Sequence, residues 1–216
     1  MQKLTEKVFE MSPPGGIFDE TVVRNIFSNS TEPARKLFVH RAVVKNEVVR
    51  IKPGLFCLAS LYRKSDPHPF LIASKILSPS YISLESALSF HGLIPEAVFE
   101  TASVTSLRSR RFKTPSGIFS YHHIPSNESF AGVESVKLGD DAWAFVATPL
   151  KAIADIIYLR KEICWEKDGI EFLISSMRID EDELRSIARE NCPEIIGSIR
   201  NRRTKQYLEM LVKELK

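Results

Sequence analysis

The residues best placed to do chemistry are Arg35 and Lys36. They stand near the start of the helical stretch Glu32-Pro33-Ala34-Arg35-Lys36-Leu37-Phe38-Val39-His40-Arg41. On a wheel turning about 100° per residue with Ala34 at its origin, Ala34, Leu37, Phe38 and Ala42 gather on one face. Arg35, Lys36, Val39, His40 and Val43 fall on the other, and Arg41 projects near the apolar side. The chemistry of such a face is recognition of base edges. An arginine donates in pairs to guanine, and an exposed valine touches a thymine methyl. Arg35, Lys36, Val39 and His40 are therefore the base-reading candidates. Arg24, Lys45, Arg50 and Lys52 are candidates for phosphate contacts, which position a protein on a duplex without reading sequence. A merely solvated helix carries the same charges, so charge alone does not separate the two readings.

Two further basic runs have no acid among them: Arg108, Arg110, Arg111 and Lys113, and then Arg200, Arg202, Arg203 and Lys205. The first is expected on an exposed loop between two strands. Each run is a second basic surface, for DNA or for an acidic partner, or simply solvated. Residues 1–60 carry nine Lys/Arg against six Asp/Glu, whereas residues 161–190 carry nine acids against five bases. The net charge of +3 hides this segregation.

No enzyme signature is present. The sequence has no phosphate-binding glycine loop, no paired-histidine zinc helix and no nucleophile-elbow serine. Asp140-Asp141 reads as a turn, and Asp180-Glu181-Asp182-Glu183 as the acidic first turn of a helix. The odd, scattered Cys57, Cys164 and Cys192 predict free thiols, with neither a disulfide framework nor a metal site. No cofactor is expected. No apolar run is long enough to cross a bilayer. The polar N-terminus predicts no secretory leader, and the expected compartment is the cytoplasm.

The elements that must hold Arg35 and Lys36 follow from period and punctuation. A first helix over residues 4–11 is stopped by Pro13-Pro14-Gly15-Gly16. Phe18, Val22, Val23, Ile26 and Phe27 recur at helical spacing and predict a second helix over residues 18–27. Ser28-Asn29-Ser30-Thr31 is a turn and supplies a cap for the third helix, which runs to about residue 45. Residues 48–51 and 55–58 then read as two strands around Lys52-Pro53-Gly54. Three helices and a hairpin form the order of a winged helix-turn-helix. Residues 61–79 supply a proline-bearing linker and a short helix. Beyond them come a helix ending at Gly92, strands over 99–105, 117–123, 134–138 and 142–147, and helices from Pro149 to the end. The fold class is α+β: a winged helix-turn-helix over residues 1–60, then a larger mixed α/β domain over 80–216 with a helical C-terminus.

Three segments of that second domain resemble the AbiE-type antitoxin and transcriptional-regulator family. They are Tyr81-Ile82-Ser83-Leu84-Glu85-Ser86-Ala87-Leu88-Ser89-Phe90-His91-Gly92-Leu93-Ile94-Pro95-Glu96, Phe112-Lys113-Thr114-Pro115-Ser116-Gly117-Ile118-Phe119-Ser120-Tyr121-His122-His123-Ile124, and Ala147-Thr148-Pro149-Leu150-Lys151-Ala152-Ile153-Ala154-Asp155-Ile156-Ile157-Tyr158. The hairpin turn Lys52-Pro53-Gly54-Leu55-Phe56 departs from the family pattern, with Pro53 in place of the common Arg and Phe56 in place of the common Tyr. The resemblance spans residues 15–160. It implies an antitoxin that represses its own operon through double-stranded DNA and counters a nucleotidyltransferase-like toxin, directly or through that toxin's target. A stand-alone winged-helix transcriptional regulator is the alternative, and a nucleic-acid enzyme such as a metal-dependent nuclease is a third reading.

The same segments have a physical reading. Ser83 and Thr148 are placed to cap helices, with Pro149 at the favoured first helical position. His91 sits at a helix C-terminus and reads as structural. His122 and His123 face opposite sides of a strand and cannot form one ligand pair. Asp155, alone on an apolar helix, is expected either to pair with an arginine or to be exposed.

Overall fold

A computed structural model of the chain describes residues 1–95, 98–125, 130–139, 142–189 and 192–216. Glu96, Asp140 and Asp141, on which parts of the sequence reading fall, lie outside these residues, as does the side chain of Cys192. The protein is a mixed α+β structure. Its chain divides into two compact units: residues 1–76 with segments 113–117 and 137–143, and the remainder.

In the first unit α1 spans Lys3–Met11 and buries Leu4, Thr5 and Val8 along one stripe. Ser12 takes a left-handed conformation (φ 48°), and its amide donates to the Val8 and Phe9 carbonyls, which ends the helix. β1 follows at Ile17–Asp19. α2 covers Glu20–Ile26 and α3 covers Glu32–Val44. β2 (Val48–Lys52) and β3 (Leu55–Leu58) form an antiparallel hairpin turning at Gly54 (φ 80°). The sheet order is β1-β3-β2.

Phe18 is not in the second helix but in β1, directly opposite Phe56 of β3, with ring centroids 5.6 Å apart. Helical spacing placed Phe18 on the apolar stripe of α2. The free edge of β3 takes Phe18 and Asp19 instead, together with Ile17, because pairing satisfies their backbone groups and buries the ring. Asp19 then becomes the N-cap of α2, its carboxylate accepting from the Val22 amide at 2.9 Å. Phe18, Val23, Phe27, Val39, Ala42, Val48 and Phe56 meet Leu4 and Val8 in one core.

A six-stranded sheet of order β6-β7-β5-β4-β9-β8 has most of its residues in the second unit. Its strands are β4 Tyr81–Ile82, β5 Glu100–Thr105, β6 Arg110–Thr114, β7 Gly117–His123, β8 Val133–Lys137 and β9 Trp143–Ala147. β4 runs antiparallel to β5 and parallel to β9, and β5 runs parallel to β7. α5 (Leu84–Phe90) packs against both β5 and α6 (Pro149–Leu159). α6 is buried from Leu150 through Ile157, so it is a core helix rather than a surface one. α7 (Trp165–Asp168), α9 (Cys192–Ser198) and α10 (Arg202–Leu215) complete the unit with α8 (Glu181–Ile187), while α4 (Pro69–Ile76) belongs to the first. α10 lies along α6 and buries Tyr207, Leu208, Leu211 and Leu215 at helical spacing. The Asp180 carboxylate caps α8, accepting from the Asp182 and Glu183 amides. No helix among the described residues is long and apolar enough to cross a membrane.

Candidate functional site

The first unit has a concave face between α2, α3 and the β2–β3 hairpin, with a volume of about 590 Å³. The sequence folds this way locally because the Glu20 amide, at the start of α2, donates to the Gly54 carbonyl at the hairpin turn. Arg24, Arg35, Lys36, His40 and Arg50 all line the concavity, opposed by Glu20 and Glu32. Most of the residues proposed to meet DNA are thus brought to one surface. Val39 lines its floor, while Lys45 and Lys52 do not line it.

The phase of α3 is corrected. Val39, expected to be exposed, is only 7% exposed and packs in the core, which leaves little of its surface for a thymine methyl. Leu37, assigned to the packing face, is 44% exposed instead. Ala42 is fully buried, and Arg41 is exposed. The packing face runs through Arg35, Phe38, Val39 and Ala42, with the Phe38 ring 4.7 Å from that of Phe27. A wheel centred on Ala34 is off because Arg35 is half-buried. Its guanidinium donates to the Ser30 carbonyl at the turn before α3.

The remaining groups on this face have distinct partners. Lys36 pairs with Glu32 one helical turn away at 2.6 Å, both ends exposed. That bond raises the Lys36 ammonium above its ordinary value and lowers the Glu32 carboxyl. Arg50 lies over the Phe56 ring at 5.8 Å. Arg24, His40 and Lys45 are exposed, and Lys52 is half-buried. Thr31 stands at the N-cap of α3, but its side chain makes no capping bond.

The expected second basic surface is reduced. Arg110, Arg111 and Lys113 are not on a loop but on the edge strand β6. Arg111 reaches across β7 to grip Glu100 of β5 with Nε 3.0 and 3.1 Å from its two carboxylate oxygens. The sequence missed β6 because its alternation is of charged with half-buried residues rather than polar with apolar ones. Arg203 is a structural clamp. Its guanidinium donates to the carbonyls of Ile157, Tyr158, Arg160 and Ile163, which cluster at the end of α6. Arg108, Arg110, Lys113, Arg200 and Arg202 are exposed, and Lys205 is half-buried.

Segments far apart in the sequence meet at a buried polar centre in the second unit. Asp155 on α6 accepts from Lys151 at 2.6 Å, from the Ser83 hydroxyl at 2.7 Å and from the Tyr81 phenol at 3.0 Å. Asp155 is 2% exposed and Lys151 6%. The expected arginine partner is a lysine, and the alternative of exposure does not hold. Burial, reinforced by the neighbouring Asp155 charge, pushes the Tyr81 phenol far above its usual range and keeps it a donor. Ser83 does occupy the N-cap position of α5, but its hydroxyl serves Asp155 and makes no capping bond. Leu84 beside it holds a left-handed φ of 56°, an uncommon conformation for leucine. The Thr148 hydroxyl likewise caps nothing and has no partner among the described residues.

A hollow of about 660 Å³ lies in the same unit, lined by Leu84, Glu85, Glu100, Ser120, His122, Ile156 and Arg160 among others. Its charged groups are paired: Arg160 with Glu85 at 2.6 Å, and Glu100 with Arg111. His122 faces Ser120 at 3.3 Å, while His123 points to the Leu107 carbonyl, so the two histidines diverge as strand alternation requires. His91 bonds the Ala147 carbonyl at 2.9 Å and ties α5 to the end of β9. Cys57 and Cys164 are free thiols. Among the described residues no three histidine, cysteine or carboxylate side chains gather as a metal site would need. No family model and no curated protein matches this chain.

Proposed function

We propose that the chain is a DNA-binding transcriptional regulator of the antitoxin type, acting in the cytoplasm on its own operon. The observation that carries this reading is the convergence of Arg24, Arg35, Lys36, His40 and Arg50 on one concave face between α2, α3 and the hairpin. The element order α1-β1-α2-α3-β2-β3, with β1 on the free edge of β3, supports reading residues 1–60 as a winged helix-turn-helix. In that arrangement α3 is the recognition helix and β2–β3 the wing. Arg24 and Arg50 bind phosphates, and the two basic turns of α3 enter the major groove. The second unit is the part that counters a nucleotidyltransferase-like toxin. That half of the reading rests on the resemblance of its three segments to the AbiE-type family.

The test is binding of the full chain to duplex DNA from upstream of its own gene, followed by fluorescence anisotropy across a salt series. Affinity is expected to fall linearly on logarithmic axes as counterions are released. Replacing Arg24 and Arg50 together by alanine lowers that slope by about two, one for each phosphate no longer neutralised. Binding that is absent, or indifferent to salt, removes the DNA reading. An adjacent gene that encodes no nucleotidyltransferase-like protein, or one whose growth arrest this chain does not relieve, removes the antitoxin reading alone.

A further inference from the structure

α3 presents a narrow outward arc made of Lys36, Leu37, His40, Arg41 and Val44. Two of these are large aliphatic residues standing in water, Leu37 at 44% and Val44 at 63% exposure. They interrupt a surface that is otherwise basic, since Glu32 is the one acid on α3 and is bound to Lys36. The donors of α3 are unequally committed. Arg35 holds the Ser30 carbonyl, and Lys36 holds Glu32. The Arg41 guanidinium has no hydrogen bond or ion pair among the described residues. Leu37 and Arg41 are one turn apart and on the same side of the helix.

We propose that Leu37 and Arg41 are the specificity-determining pair of α3, Leu37 packing on a thymine methyl and Arg41 donating to a guanine of the same duplex site. The proposal rests on the DNA-binding reading above and replaces Arg35 and Val39 as base readers. Its chemistry is that of the major groove, where the thymine methyl is the apolar feature and guanine offers two acceptors to one guanidinium. The spacing fits. The four residues from Leu37 to Arg41 advance about 6 Å along the helix, close to two base-pair steps of about 3.4 Å, so the two bases lie on neighbouring or next-neighbouring pairs. The basic residues Lys36 and His40 lie beside the pair and line the concavity toward the hairpin.

The experiment selects binding sites with the full chain from a pool of random duplexes and then alters single atoms in the enriched site. Uracil in place of each thymine removes only the methyl. 7-Deazaguanine in place of each guanine removes only the N7 acceptor. One uracil position is expected to weaken wild-type binding about three- to fivefold, the size set by one buried methyl group, and to leave Leu37→Ala unaffected. One 7-deazaguanine position, within about two base pairs of it, is expected to weaken wild type about tenfold and to leave Arg41→Ala unaffected. Enrichment of a sequence that is indifferent to every uracil and 7-deazaguanine overturns this assignment while the DNA-binding reading stands. Substituted positions that matter equally to wild type and to both variants also overturn it. No enrichment at all overturns both. The wild-type arm needs no variant, so a folding defect cannot mask the result.

Discussion

The Lys151 ammonium lies 2.6 Å from the Asp155 carboxylate, one turn along a helix in which both side chains are enclosed. A buried ion pair of this kind is costly to form, and its attraction repays the desolvation only when further hydrogen bonds complete it. Tyr81 and Ser83 provide those bonds. Breaking the pair from one side leaves a charge buried and unpaired. Lys151→Met is expected to cost about 3–5 kcal/mol, and Asp155→Asn a similar amount. The double variant Lys151→Met, Asp155→Asn carries no charge, and its amide oxygen still accepts from the two hydroxyls. It is expected to be more stable than either single variant. Urea unfolding of the four proteins checks this, and strictly additive losses would show that the two residues are not coupled.

Arg203 separates structural from solvated charge within one basic run. Arg203→Ala strips four carbonyls at the end of α6 of a charged donor and is expected to cost about 2–3 kcal/mol. Arg203→Lys recovers only part, since a point charge cannot span the acceptors that a planar guanidinium reaches. Arg202→Ala, an exposed neighbour, stays within about 0.5 kcal/mol of wild type. Equal melting temperatures for the Arg202 and Arg203 alanine variants would remove the clamp.

What the sequence made legible was the order of elements, and what it missed was mostly set by tertiary contact. The hairpin strands and α3 fall where period and turn residues put them, because Pro53-Gly54 and Glu32-Pro33 are local signals. Phe18 fits a helix stripe equally well as a strand, and only the free edge of β3, some forty residues on, decides between them. Arg203 and Arg111 look like surface charge until their acceptors are known, and those acceptors are 40 to 46 residues away for Arg203 and 11 for Arg111. The meeting of Ser83 with Asp155 spans 72 residues and leaves no local trace. The phase of α3 was recoverable in principle. Phe38, Val39 and Ala42 form a tighter apolar arc than Ala34, Leu37, Phe38 and Ala42 once an arginine is allowed to lie along the core edge.

The grip of Arg111 on Glu100 makes the sheet sensitive to acid. The Arg111 hydrogen bond holds the Glu100 carboxyl below its ordinary value of 4.5, against the opposing effect of burial and with help from Ser120, the Arg111 charge and His122. A carboxyl depressed in the folded state binds fewer protons there than in the unfolded chain. Its stabilisation is complete above the unfolded value and is lost as pH falls through the folded one. Arg111→Gln is therefore expected to lower the urea midpoint most at pH 6 to 7 and progressively less as pH falls below 4.5 and the carboxyl takes up its proton. A difference that is constant from pH 7 to pH 3 would mean that the pair contributes nothing through charge.

The re-phased α3 makes opposite demands on two nearby aliphatic positions. Val39 is 7% exposed among Val23, Phe27 and Val48, so Val39→Ala removes two packed methyl groups and leaves a cavity. The expected loss is about 2 kcal/mol, from about 0.8 kcal/mol per buried carbon plus the void. Leu37→Ala deletes a larger side chain but one already in water, and it is expected to stay within about 0.5 kcal/mol. The smaller truncation should therefore be the more damaging to stability, and the larger one the more damaging to DNA binding. Differential scanning calorimetry and anisotropy on the same two variants measure both effects. If Leu37→Ala is the less stable protein, the helix sits in the phase that the Ala34-centred wheel gives, and Val39 returns to the groove-facing side.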